Sequence, residues 1–289
     1  MIRKVSTERT ATKIGGTTKK EKVTPASPIG IFDSGVGGLS VLAEVMRQLP
    51  HEDVIYLGDT ARIPYGSRTP QEIVKINREI IPFLLKQGAK LIIMACGTSS
   101  AIAYPVIKDE YPVEIINLIE PGSQAAVTAS RSGKIGVIAT SATVNSQAFQ
   151  DKIRELKKEA VVSAVGCPLF VPLIERGLVD SDEAKQVAKD YLKPLLENGI
   201  DALILGCTHY PHLAKTIQSI VGPGVKLVDP AEEAVKQTRK LLETSGTIRK
   251  ESGPHKYNFF VTGSTIQFQD IGSRLLGKPI VGTKQISLT

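Results

Sequence analysis

The 289-residue sequence predicts an α/β fold of two similar domains with parallel-rich sheets flanked by helices, pseudo-twofold related, with the active site in the cleft between them. Two observations carry this. Short, almost wholly apolar runs alternate with amphipathic stretches of helical period, the pattern of a parallel sheet covered on both faces. The chain also repeats itself. Leu84-Leu85-Lys86-Gln87-Gly88, two residues, then Leu91-Ile92-Ile93-Met94-Ala95-Cys96 reads against Leu195-Leu196-Glu197-Asn198-Gly199, two residues, then Ala202-Leu203-Ile204-Leu205-Gly206-Cys207. Upstream, Ile29-Gly30-Ile31-Phe32-Asp33-Ser34 matches Ile135-Gly136-Val137-Ile138-Ala139-Thr140. Copies offset by 106 to 111 residues imply two α/β halves.

In chain order, the folded body begins at Pro28-Ile29. Ile29–Phe32 is a strand, and a glycine-rich turn leads to a helix over about 40–48. Val54–Leu57 is a second strand, 70–87 a helix, and Lys90–Ala95 a third strand. After about Asp229 comes another amphipathic helix, then a strand at Tyr257–Thr262. These lie beyond the second repeat and return to the first half. The expected organisation is therefore a disordered basic tail over 1–27, a discontinuous first domain over 28–121 and 229–289, and a second domain over 122–228.

Composition narrows the function. A hydrophobic fraction of 42% and a charged fraction of 22% are ordinary for a globular protein. No apolar run approaches the roughly 18 residues of a membrane span, and the N-terminus lacks the apolar core of a secretory signal. Three cysteines suit a reducing compartment better than a disulfide framework, so the expected location is cytoplasmic. Of the net charge of +7, residues 1–27 hold seven basic side chains against Glu8 and Glu21, or +5, leaving +2 for the body. Such a polar tail has too little apolar surface to fold, and its deletion is expected to leave the body intact. The near-neutral body, 5% aromatic and without Trp, argues against nucleic acid and membrane as partners. A small molecule is expected instead. A homodimer is the expected assembly.

The chemistry concentrates at strand ends. Cys96 and Cys207 each close a strand just before a turn into a helix, where a helix N-terminus would favour a thiolate. Activation is needed, since a thiol of ordinary pKa is only about 3% ionised at pH 7. Two thiols at equivalent points of facing halves suit inversion at carbon, one taking a proton and the other delivering one to the opposite face. A lone strand-end cysteine is more often a small buried hydrophobe, and Cys167, which has no repeat partner, is read so. Asp33-Ser34-Gly35-Val36-Gly37-Gly38 offers free backbone N–H groups to a carboxylate, while Asp33 suits an ammonium. His209 lies two residues from Cys207 and can manage its proton. Cys207, His209 and His212 are metal-ligand types, yet structural zinc wants four ligands and no Cys-x-x-Cys occurs, so no metal is expected. His212 is read as capping or packing. Asp59–Gly66, after the second strand, is by itself an ordinary loop.

Together FDSGVGGLS (32–40), GDTARIPYG (58–66), MACGTSSA (94–101), CPLFVPLIE (167–175) and LGCTHYP (205–211) closely resemble the glutamate racemase family, in order, over about residues 28 to 230. The resemblance implies two facing α/β domains, no cofactor, and production of D-glutamate for peptidoglycan. It implies that Cys96 deprotonates D-glutamate with Asp33 in support, and that Cys207 deprotonates L-glutamate with His209 in support. Ser34, Tyr65, Gly66, Gly97, Thr98, Thr208, Asp33 and His209 match substrate-binding positions, and Glu175 matches a further acidic group. The family usually has Asn where this chain has Gly97; restoring Asn is expected to preserve or improve activity. The N-terminal tail is a second departure, and some family members with extensions respond to a cell-wall precursor. The alternatives are a racemase for aspartate or another acidic amino acid, a catalytically weakened acidic-amino-acid binding protein, and a nucleotide-binding protein using GVGGLS. No lysine stands out for a pyridoxal cofactor.

Overall fold

The structure, a computed structural model, describes residues 23–250 and 255–288. Residues 1–22 of the expected tail lie outside the described residues. Residues 24–27 form a turn in which the Ser27 N–H donates to the Thr24 carbonyl at 3.0 Å. Lys90 Nζ donates to the Pro25 carbonyl at 3.0 Å, so this end of the stretch is tied to the body.

The first half runs β1 (Ile29–Asp33), α1 (Leu39–Gln48), β2 (Val54–Gly58), α2 (Pro70–Lys86), β3 (Leu91–Met94), α3 (Gly97–Ile102), α4 (Tyr104–Ile107) and β4 (Ile115–Ile116). The second runs α5 (Ile119–Ala129), β5 (Lys134–Ala139), α6 (Ser141–Asn145), α7 (Ala148–Leu156), β6 (Val161–Gly166), α8 (Phe170–Glu175), α9 (Asp182–Glu197), β7 (Ala202–Leu205), α10 (Ala214–Val221) and β8 (Lys226–Val228). Then come α11 (Pro230–Ser245), β9 (Tyr257–Val261), α12 (Thr265–Leu276) and β10 (Lys284–Gln285). One sheet has the order β10-β9-β2-β1-β3-β4 and the other β6-β5-β7-β8. Every pair is parallel. The inner order β2-β1-β3-β4 repeats as β6-β5-β7-β8, and β9 and β10 extend the first sheet beyond β2.

Local chemistry explains the repeat. Gly88 and Gly199 end α2 and α9 with φ of +86° and +69°, the left-handed turn that glycine adopts without a Cβ penalty. The next residues, Ala89 and Ile200, press on Gly30 and Gly136, where an added Cβ would lie 3.0 Å and 2.7 Å away. α2 starts on a capping box between Thr69 and Glu72 with Pro70 at its first turn. Alternate residues of each strand feed opposite faces. Ile29, Ile31, Tyr56, Leu91 and Ile93 belong to one core, and Phe32, Leu57, Ile92 and Met94 to another. The second sheet divides likewise between Ile135, Val137 and Ile204 on one face and Ile138, Leu203 and Leu205 on the other. Among the described residues no helix is long and apolar enough to cross a membrane.

Candidate active site

In an open parallel sheet, ligands bind beyond the carboxyl ends of the strands where the strand order reverses. Those points are β1/β3 in one sheet and β5/β7 in the other. Asp33 ends β1 and Cys96 follows β3; Thr140 follows β5 and Cys207 follows β7. One cavity of about 720 Å³ collects all four. Its wall also includes Ser34, Tyr65, Gly66, Gly97, Thr98, Thr208 and His209, every remaining residue singled out for substrate.

The halves touch across this cavity. Thr98 Oγ1, on α3, lies 3.0 Å from Thr140 Oγ1 and 3.4 Å from Thr143 Oγ1, on or beside α6. Thr208 Oγ1 donates to Asp33 Oδ1 at 3.5 Å, and the Gly35 N–H donates to Asp33 Oδ2 at 2.9 Å. On the second wall, His209 Nδ1 stands 3.9 Å from Cys207 Sγ, and His209 Nε2 is 3.0 Å from Glu175 Oε1. Arg274, on α12, donates to the Glu175 carbonyl and holds α8 from the other side.

The two thiols are almost inaccessible, Cys96 at 4% and Cys207 at 7%. Cys96 caps α3, as the strand-end position predicts. The expected thiolate does not result. Burial first, and the Asp33 carboxylate second, push the Cys96 thiol up to about 12, against the opposing hydrogen bonds from Ser99. Cys207 differs from the expectation in another way: a 3₁₀ turn over Tyr210–Leu213 follows it before α10 begins. Burial works against the charged form of His209. Its hydrogen bonds to Cys207 and Glu175, with the charges of Cys207 and Asp33, outweigh that and carry it up to about 10. His209 is thus an imidazolium at neutral pH. His212 goes the other way, pushed down to about 4 by burial and by the charge of His209. Among the described residues no three His, Cys, Asp or Glu side chains converge as metal ligands.

Gly97 does not behave as the resemblance implies. A Cβ there would lie 2.5 Å from the Gly206 carbonyl oxygen, so the closed cleft has no room for the expected Asn. Asn at this position is therefore expected to lower activity rather than to preserve or improve it. Cys167 lies at the cavity wall with its side chain fully buried, and its carbonyl accepts from Tyr210 Oη at 2.9 Å. Asp59, read as part of an ordinary loop, is a buried hub. It accepts from Tyr65, from Arg62 Nε at 2.7 Å and from Thr262 Oγ1 at 2.8 Å, and so fixes the loop that carries Tyr65 and Gly66. Thr140 was visible only as the repeat counterpart of Ser34. Gln267 and Ile271 of α12 also line the cavity, and nothing in their local sequence announces it.

Comparison with known proteins places this chain of two parallel sheets meeting at one cavity among the amino-acid racemases. More narrowly, it belongs to the Asp/Glu/hydantoin racemase family, whose profile matches residues 29–238. It is 48% identical over 255 residues to a glutamate racemase of Picosynechococcus sp., covering 88% of this chain and 90% of the relative. A glutamate racemase isoform of Bacillus anthracis superposes with a TM-score of 0.87 at 37% identity, over 91% of this chain and 98% of that one. A Francisella tularensis glutamate racemase, solved with D-glutamate, gives 0.85 at 37% identity over the same shares.

Proposed function

We propose that the chain interconverts L- and D-glutamate by proton transfer at Cα between Cys96 and Cys207, without a cofactor. The observation that carries this reading is the placement of two thiols on opposite walls of one cavity, each beside its own proton-handling group. In the L-to-D direction Cys207 takes the Cα proton, the electron pair remains on Cα, and the Cys96 S–H delivers its proton to the opposite face. The reverse direction exchanges the roles. Asp33 faces the substrate ammonium, whose positive charge offsets the carboxylate that otherwise keeps Cys96 protonated. The Glu175–His209 pair steadies the negative charge that gathers on Cys207. Thr98, Thr208, Ser34 and the Tyr65–Gly66 turn hold the two carboxylates of the substrate. Residues 28–121 with 229–289, and residues 122–228, serve as the two closing domains. On the family resemblance, we place the reaction in the cytoplasm, supplying D-glutamate for peptidoglycan.

The test is exchange of the Cα proton in D₂O with no added cofactor, followed by NMR and by optical rotation. Both enantiomers of glutamate are expected to exchange and to converge on an equimolar mixture. Silence with both enantiomers overturns the reading, and faster turnover of aspartate in parallel moves it to the other acidic amino acid.

A further inference from the structure

Gly97 opens α3 with an ordinary helical torsion, so its backbone does not require glycine. Space does. The Cβ of any other residue would lie 2.5 Å from the Gly206 carbonyl oxygen, 3.5 Å from its carbon and 3.9 Å from the Cα of Cys207. Carbon and carbonyl oxygen rest at about 3.3–3.6 Å, so the overlap is roughly 1 Å. A backbone carbonyl cannot rotate aside as a long side chain can, and this one is bonded directly to the nitrogen of Cys207. The neighbours of the two thiols therefore meet backbone to backbone. A second glycine marks the same seam: a Cβ on Gly37 would lie 2.3 Å from His209 Nδ1 and 2.6 Å from Thr208 Oγ1.

We infer that Gly97 is the gauge of cleft closure, a positioning residue that sets how near Cys207 comes to Cys96. A side chain at 97 props the second half away by a fraction of an ångström to about an ångström. The displaced thiol is Cys207, since Cys96 stays on α3 with residue 97. The kinetic part of this inference rests on the two-thiol reading; the geometric part does not.

The experiment compares wild type with Gly97→Ala and Gly97→Asn in two measurements. In the first, racemisation is expected to fall by about 10²-fold in Gly97→Ala, the scale of a 1 Å misplacement, and further in Gly97→Asn. Melting temperatures should stay within a few degrees. The second measures closure without any turnover: iodoacetamide labelling of each thiol, mapped by mass spectrometry. Cys207 should label at least five-fold faster in Gly97→Ala, while Cys167, buried in the second core, keeps its wild-type rate. Equal labelling, or a Gly97→Asn variant as active as wild type, overturns the gauge. If the wild type racemises nothing, the racemase reading fails and the labelling contrast still decides. Should Gly97→Ala melt too low to assay, Gly37→Ala presses on the same seam and carries both measurements. Loss of the fold in both overturns the inference, because a gauge acts between halves whose cores are intact.

Discussion

Cys96 and Cys207 stand at equivalent points of two sheets with the same strand order, yet the charges around them are opposite. Beside Cys96 lies the Asp33 carboxylate, which together with burial holds the sulfur in its protonated form. Beside Cys207 lies the His209 imidazolium, backed by Glu175. Repetition of the backbone thus supplies symmetry of position, while single residues at which the two halves differ supply asymmetry of charge. A two-sided reaction needs both. The site has a proton donor on one wall and a group able to steady a thiolate on the other. On the proposed two-thiol reaction, each turnover reverses that assignment.

The strongest test removes one sulfur at a time. Serine is a far poorer base at neutral pH, so Cys96→Ser and Cys207→Ser should each reduce racemisation by ~10²–10⁴-fold. Complete turnover cannot tell the walls apart, because enantiomers have equal free energy and kcat/KM must match in the two directions at every pH. Partial reactions can. Elimination from a substrate analogue with a leaving group at the β-carbon requires deprotonation from one face only. Cys207→Ser should retain this elimination with the D-analogue and lose it with the L-analogue, and Cys96→Ser should do the reverse. Equal loss with both analogues in both variants would erase the comparison.

How far the sequence carried this picture follows from where each interaction lives. The alternation of strands and helices, the doubling of the fold and the strand-end positions of both cysteines were legible, because periodicity and the Gly88/Gly199 repeat are local signals. The charge state of Cys96 was not. A strand-end cysteine before a helix suggests a thiolate, and only the closed cavity shows that burial beside Asp33 outweighs one helix end. The room at Gly97 was equally hidden, since it depends on Gly206 in the other half. Glu175 and His209 were named from motifs 34 residues apart, without a reason for their meeting. Arg274, which braces Glu175, lies in a helix that carries no repeat and matches none of the motifs.

A gentler change sharpens the comparison through pH. In Glu175→Gln the carboxylate opposite His209 becomes a neutral amide of the same shape. An anionic partner favours the protonated ring, so its loss must lower His209 from about 10. Elimination from the L-analogue should then lose its alkaline limb at a lower pH than in wild type. The D-analogue's profile should stay in place. Profiles that move together would mean that His209 serves both walls.

The smallest expected effect comes from removing residues 1–22. Their seven basic and two acidic side chains give +5, the bulk of the chain's +7, so deletion takes the protein nearly to neutrality. Neither thiol should register it. The chain joins the body at Pro25, whose carbonyl accepts from Lys90, immediately before β3. Cys96 is six residues further on, at about 3.3 Å per residue, so the junction and the sulfur are separated by about 20 Å along the strand. That is more than twice the Debye length of about 8 Å at physiological ionic strength, so the point at which the stretch joins the body is electrostatically remote from the sulfur. Both partial reactions and the melting temperature should therefore match the full chain. A cut at 27 should differ. It takes away the Pro25 carbonyl and leaves Lys90, buried against Glu52 and the Thr247 carbonyl, with one acceptor fewer. An unmet buried donor costs about 1–3 kcal/mol, so the longer deletion should lower the melting temperature by several degrees while sparing the ratio of the two partial reactions. If the cut at 22 alone changes that ratio, the basic stretch acts on one wall of the cleft, and the contrast between the thiols is set in part from outside the cavity.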